Sequence, residues 1–321
     1  ECVTPLVVIE HVILEFQNKN ILVVHIPESS IKPVHLKKGI EESYIRSGSS
    51  TRKASRQEIG GLMLNSKTPV FEELHVSTLK TGLEIISLLD YSKILKLLNK
   101  PIPSTIDEII NWMKDEKMIV QVETDGFYVT NFGALAAAKD LNDFEGLARK
   151  SVRIIKYEEQ HKAGASKEFP NTAGYAVGFE ALIQFLTSIL PGSEVIKHAL
   201  RKDTSIYPEI ALRELVANAL IHQDFSIRGS GPMIEIFNDR IEITNPGKLL
   251  PNKKLDRLIR TTPESRNELL ASSFRRYAIC EERGSGFEKV VISIELFGLP
   301  PLKVEERENS FKSILSAPRN F

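Results

Sequence analysis

Residues 213–226, RELVANALIHQDFS, constrain this chain more than any other stretch. Leu212, Leu215, Val216, Ala219 and Leu220 recur at helical spacing, so the segment predicts a helix with an apolar stripe. Glu214, Asn218 and His222 fall four residues apart and share the other face, drifting about 40° per step at roughly 3.6 residues per turn. A carboxylate, a carboxamide and an imidazole on one face read either as a site or as the solvated side of an amphipathic helix. Two later segments favour the site: Asn245-Pro246-Gly247, and Arg283-Gly284-Ser285-Gly286 at the start of another helical pattern.

A length of 321 residues allows two or three domains. With 42% hydrophobic and 26% charged residues the chain reads as an ordinary globular protein. No apolar run approaches the roughly 20 residues of a membrane helix, so no membrane partner is expected. Cys2 and Cys280 give neither a disulfide framework nor a metal spacing, which fits a cytoplasmic protein, and the scattered histidines offer no zinc pattern. A formal net charge of zero argues against a wholesale basic nucleic-acid binder. The charge is nonetheless uneven. Seven Lys or Arg face two Glu between Lys32 and Arg56, and seven face three acids between Lys253 and Arg276. Each run is a phosphate-binding surface or simply a solvated face. The chain starts with Glu1 in strand-like sequence, and an N-terminal portion is expected to precede it.

Residues 6–14 and 21–26 predict a hairpin around the turn 18–20. A short strand at 44–46 leads into the Gly/Ser/Thr loop 47–51, and Ser55 with Glu58 forms a capping box for a helix. Arg46, Arg52, Lys53 and Arg56 flank that loop. Its amides, with the hydroxyls of Ser49 and Thr51, either hold a phosphate or make a tight turn among exposed charges. Residues 60–80 read as linker and 83–98 as one amphipathic helix. Ser104 and Asp107 have capping-box spacing for the next helix, and 118–123 with 127–130 predict a second hairpin. Helices followed by a two-stranded wing suggest a winged helix. Its 105–117 helix is acidic, which favours a structural or dimerising role over base reading. Beyond it the pattern predicts a strand at 149–156, a loop at 162–174, and helices at 178–190 and 193–200. Strands at 233–237 and 240–244 follow, then a basic connection, a helix at 287–297, and strands at 302–306 and 310–315.

Two resemblances attach to these motifs. The segment 44–59, YIRSGSSTRKASRQEI, resembles the closing part of the AlbA-like domain of the Schlafen family. In bacteria that domain heads transcriptional regulators and is associated with nucleic acid. Some relatives are RNases with a carboxylate site, but those carboxylates would lie largely in the N-terminal portion expected to precede Glu1, and none is carried over to this sequence. The segment 129–140, VTNFGALAAAKD, is similar to the stretch that follows the winged module in the same regulators. In the C-terminal half, the order of a Glu/Asn helix, a strand ending in Asn-Pro-Gly, and Arg-Gly-Ser-Gly resembles the ATP-binding fold of gyrase, histidine kinases and mismatch-repair ATPases. This is the GHKL superfamily, here in the divergent form found in RecG-like regulators.

The resemblances imply an α+β, multidomain chain. Residues 1–68 would be half of an AlbA-like α/β domain, 69–135 a linker with a winged-helix-like module, and 136–321 a GHKL-type α/β sandwich. They imply ATP with Mg2+ as ligands. Asn218 would be the metal ligand, through a hard carboxamide oxygen beside phosphate oxygens. Glu214 would be the general base in a hydrolysing member. Asn245 stands where the family has an Asp accepting from the adenine amino group, and Gly247 would permit approach to the base. Arg283, Gly284, Ser285 and Gly286 would contact phosphates at a helix N-terminus. Ile221 stands where kinases carry a phosphate-contacting cation, and Leu249 replaces a glycine. Both departures bear on affinity and hydrolysis. Asp224 reads as a turn cap and Phe311 as core. A nucleic-acid partner is expected through Arg46, Ser49, Thr51, Arg52, Lys53 and Arg56, together with a homo-oligomeric state. The expected function is an ATP-binding, nucleic-acid-linked regulator. An ATPase or ATP-controlled nuclease is the alternative, and an empty scaffold a third. A kinase is least favoured, because His198 lacks the acidic neighbour of a phosphoacceptor helix.

Overall fold

The computed structural model describes residues 3–318 except 5–9, 18, 27–28, 30–31, 65–69, 124–125, 191, 198–199, 251–263 and 281–285. The chain divides into two compact units, Glu1–Val70 and Phe71–Phe321.

In the first unit β1 (Val3–Thr4) pairs with β4 (His35–Leu36), and β2 (Glu10–Phe16) with β3 (Lys19–His25). The expected first hairpin is therefore present. Many of its apolar side chains, Ile13, Phe16 and Leu22 among them, are exposed. β5 (Tyr44–Ser47) and β6 (Ser50–Lys53) form a second hairpin. The loop expected at 47–51 is thus shorter and takes the tight-turn form, one of its two expected readings: Ser50 and Thr51 are strand residues, and only Gly48 and Ser49 form the turn. In α1 (Arg56–Leu64) the capping box is as expected, with Glu58 Oε2 accepting from Ser55 N at 2.9 Å and Ser55 Oγ accepting from Glu58 N at 3.3 Å.

The second unit opens with a 3-10 turn, Phe71–Glu73, and a strap that bridges the wing hairpin of the same unit (residues 119–129) and the residue after it, at Lys80↔Phe127 and His75↔Thr130. These residues are packed rather than linker. The single helix expected at 83–98 is two: α2 (Gly82–Leu88), then α3 (Tyr91–Leu97), which is capped by the Asp90 carboxylate on Lys93 N. A side chain that competes for backbone amides is a break signal that apolar periodicity hides. Thr105 and Glu108, one residue later than expected, form the capping box of α4 (Ile106–Asp115). The wing follows as β7 (Ile119–Glu123) and β8 (Gly126–Val129), and then comes the buried α5 (Asn131–Ala137).

The remainder builds one six-stranded sheet. Its strands are β9 (Val152–Tyr157), β10 (Ser166–Asn171), β13 (Met233–Ile236), β14 (Arg240–Pro246), β15 (Lys303–Arg307) and β16 (Ser310–Ser316), in the order β10-β9-β13-β14-β16-β15. Only β9 and β13 run parallel; the other pairs are antiparallel. β10 replaces the loop expected at 162–174. Its Pro170 is tolerated because β10 is an edge strand and needs no donor on its outer side. Between β10 and β13 lie α6 (Tyr175–Ile189), a hairpin of β11 (Gly192–Lys197) and β12 (Leu200–Ser205), and α7 (Glu209–Ile221). The hairpin overturns the helix expected at 193–200: the β-branched pair Val195-Ile196 prefers the strand it forms. His198 lies outside the described residues.

Two further helices, α8 (Glu268–Arg276) and α9 (Gly286–Leu296), complete the unit, and α8 lies in what reads as a featureless basic connection. Alternation sets the sheet's two faces. Ile154, Ile234, Ile236, Ile241, Ile243 and Leu315 are buried in one core with α6, α7 and α9. The opposite face carries a buried polar cluster, in which Glu235 and Glu242 stand opposite one another on β13 and β14. Lys312 pairs with both, while Lys162 reaches Glu235 and Arg240 reaches Glu242.

Candidate functional site

α7 is buried along most of its length, from Ala211 to Ile221, and only Arg213, Glu214 and Asn218 break the apolar surface between them. It stops at Ile221, short of the expected 226, with His222 as its C-cap. Two side chains enforce that stop. Asn267 Nδ2 donates to Ile221 O at 2.7 Å and to Gln223 O at 2.8 Å, satisfying carbonyls the helix end leaves open. Asp224 then turns the chain by accepting from Ser226 N. Burial alone would raise the Asp224 carboxyl; the Ser226 bonds and the charges of Arg266 and Lys150 outweigh it and hold the group below its usual range. Asp224 is thus a turn cap, as expected, and also an ion-pair partner of Arg266 at 2.7 Å.

Beside α7 lies a cavity of about 490 Å³. Its lining brings together Glu214, Asn218 and His222 from α7 and its cap, Asn245 from β14, and Gly286 from α9. Asn218 Nδ2 donates to Glu214 Oε1 at 3.2 Å, which leaves the Asn218 carbonyl oxygen as the atom to coordinate. A Cβ on Gly286 would overlap the Glu214 carboxylate, so that carboxylate abuts the first residue of α9. A helix N-terminus carries partial positive charge and favours such a group. Asn245 is 5% exposed, and both of its bonds, to His222 O and Pro246 O, leave through Nδ2. Its carbonyl oxygen remains as an acceptor. Gly247, at φ +103, has a conformation L side chains rarely adopt; it packs against Asp224 and Arg266 and is not among the lining residues. Arg283, Gly284 and Ser285 lie outside the described residues.

The cavity also holds residues that sequence reasoning passed over. Phe311, expected in the core, is half-buried and lines the cavity. α8 contributes Leu269, Ala271, Ser272 and Arg275, and Lys248 and Cys280 line the cavity as well. The signal for α8 was present in the spacing of Leu270, Ala271 and Phe274, but the surrounding charges masked it. The helix is held from outside the cavity. Glu72, 1% exposed, accepts from Leu269 N at 3.1 Å and Leu270 N at 2.7 Å, capping its N-terminus. At the other end Arg276 pairs with Glu116 at 2.7 Å. Phe71 stacks on Phe225 at 4.7 Å beside the end of α7.

In the first unit two of the four basic residues around the β5–β6 turn are neutralised from within. Arg52 makes a two-pronged pair with Glu58, and Lys53 pairs with Glu42. Arg46 is bonded to Gly48 O and Thr51 Oγ1, and no carboxylate pairs with Arg46 or Arg56 among the described residues. Ser49 sits in the hairpin turn. Among the described residues no group of three or more His, Cys, Asp and Glu could hold a metal, and no helix is long and apolar enough to cross a membrane.

Residues 229–315 match the family model described as "Putative ATP-dependent DNA helicase recG C-terminal". The match takes in Asn245 and the 283–286 segment and begins after α7. The C-terminal part of the chain is thus similar to an ATPase-type domain, which supports ATP binding there. The crystal structure of the DIP2311 protein from Corynebacterium diphtheriae shares the fold, with a TM-score of 0.58 at 17% identity. The alignment covers 97% of this chain and 60% of that one, so this chain spans less than two thirds of that protein's length. No curated protein matches the sequence.

Proposed function

We propose that the cavity beside α7 binds Mg-ATP in the manner of a divergent GHKL domain, and that the protein is a nucleic-acid-associated regulator whose domain arrangement or oligomeric state follows nucleotide occupancy. One observation carries the reading: Glu214, Asn218, Asn245 and Gly286, drawn from three separate sequence segments, line a single cavity. Asn245 offers a carbonyl oxygen to an adenine amino group. The Asn218 carbonyl is a hard oxygen donor of the kind Mg2+ takes. One carboxamide without an acidic cage suits an ion that draws its other ligands from phosphates and water. When bound, Mg2+ would neutralise phosphate charge. Calorimetry with Mg-ATP tests the reading. Binding in the micromolar range is expected, with Asn218→Ala weakening it by about tenfold or more. No binding, or binding indifferent to Asn218, ends the nucleotide assignment.

An ATPase is the second reading. It is favoured by the Glu214 carboxylate, which faces the same cavity and can take a proton from water.

Nucleic-acid association is proposed for the first unit, in a cytoplasmic setting, through Arg46 and Arg56 rather than the paired Arg52 and Lys53. Replacing Arg46 and Arg56 together by alanine should lower the salt dependence of duplex binding by about two phosphate contacts. An unchanged slope would move the contact elsewhere. The exposed apolar β2–β3 hairpin supports association of copies, since a hairpin alone is marginal in water.

A further inference from the structure

Arg275 is half-buried on the cavity wall, and no carboxylate pairs with it among the described residues. Its neighbour Arg276 projects elsewhere, to Glu116. Glu264 and Glu268 line the same cavity and neither pairs with Arg275. Taking a guanidinium partly out of water with no anion beside it is unfavourable, and an anionic ligand would remove the deficit.

Its place along the cavity says which part of a ligand it meets. One end is marked by Asn245 and His222, with Asn267 just behind the lining and bonded to the carbonyls on either side of His222. From Asn267 to Arg275 the helix rises about 12 Å, at 1.5 Å per residue. Arg275 therefore lies well away from the Asn245 end. α7 presents no cation in compensation, since Ile221 is apolar and 4% exposed, and Lys248, the lining's other cation with no carboxylate partner among the described residues, is exposed and lies three residues after Asn245, at that end.

We propose that Arg275 is the phosphate-binding cation of this cavity, supplied by α8 in place of one on α7. The assignment rests on the nucleotide reading above. A guanidinium offers paired N–H donors that match phosphate oxygens. Arg275 thereby distinguishes a nucleoside triphosphate from the bare nucleoside.

The test is calorimetry on the full chain with Mg-ATP, and with adenosine by competition, for the wild type and for Arg275→Met, Arg275→Lys, Arg276→Met and Asn218→Ala. Arg275→Met should weaken Mg-ATP by about 10- to 100-fold and leave adenosine unchanged, Arg275→Lys should recover part of the loss, and Arg276→Met should leave the ratio of the two affinities alone. Thermal unfolding without nucleotide checks that each variant folds; if Arg275→Met does not, the ratio in Arg275→Lys decides. An Arg275 variant with the wild-type ratio overturns the assignment while Asn218-dependent ATP binding stands. A wild type that fails to bind Mg-ATP, or does so regardless of Asn218, overturns the nucleotide reading and this assignment with it.

Discussion

Gly286 and Glu214 share one small volume. An alanine at 286 would place its methyl on the Glu214 carboxylate, the far end of a flexible side chain. The fold should absorb that cheaply, with the melting temperature moving by a few degrees at most. The site should not, because the displaced carboxylate also leaves the Asn218 amide. Gly286→Ala and Glu214→Ala are therefore expected to be non-additive in Mg-ATP affinity, with a coupling of about 0.5–3 kcal/mol measured by a double-mutant cycle. Strict additivity would separate the two residues. At this scale the sequence was readable where spacing fixes geometry. Glu214 and Asn218 must share a face when four residues apart on a helix, and the structure joins them. Arg275 was not readable, because Arg275 and Arg276 are chemically identical and only packing sends one to the cavity and the other to Glu116.

Among the elements, α8 shows most plainly what local pattern omits. Its stability comes from a carboxylate nearly 200 residues earlier in the chain. Glu72→Ala leaves the amides of Leu269 and Leu270 without an acceptor in a buried place, and should cost about 1–3 kcal/mol in urea unfolding. A loss below a few tenths would mean that water replaces the cap. Burial raises the Glu72 carboxyl above its ordinary 4.5, against the pull of the two amides. A raised acid holds its proton more tightly folded than unfolded, so its contribution to stability declines as pH climbs from 4.5 through the folded value. Glu72→Gln, which keeps an acceptor and never ionises, should gain on the wild type over that interval. Similar non-local causes explain the other misread elements. β10 is a strand because β9 is there to pair with it, and the helices on either side of Asp90 part because its carboxylate turns to Lys93 N.

On the scale of the whole chain, the mixture of helices and strands was legible from periodicity, and so were the first hairpin and the closing pair of strands, whereas the β5–β6 hairpin was not. The order of the central sheet was not. β9 and β13 run side by side although more than 70 residues separate them, and no local propensity encodes a parallel partner at that distance. The recognisable ATPase-type stretch, 229–315, begins at the edge of this arrangement. Strand β9, helix α7 with Glu214 and Asn218, and the Glu72 cap of α8 all precede it. Heredity and mechanics therefore draw different borders on this polypeptide. What can be exchanged between proteins as a working part is not the segment that similarity picks out, but the whole of 71–321. A graft of the shorter piece would carry the Asn245 wall of the cavity into its new host and leave the wall that holds Glu214 and Asn218 behind.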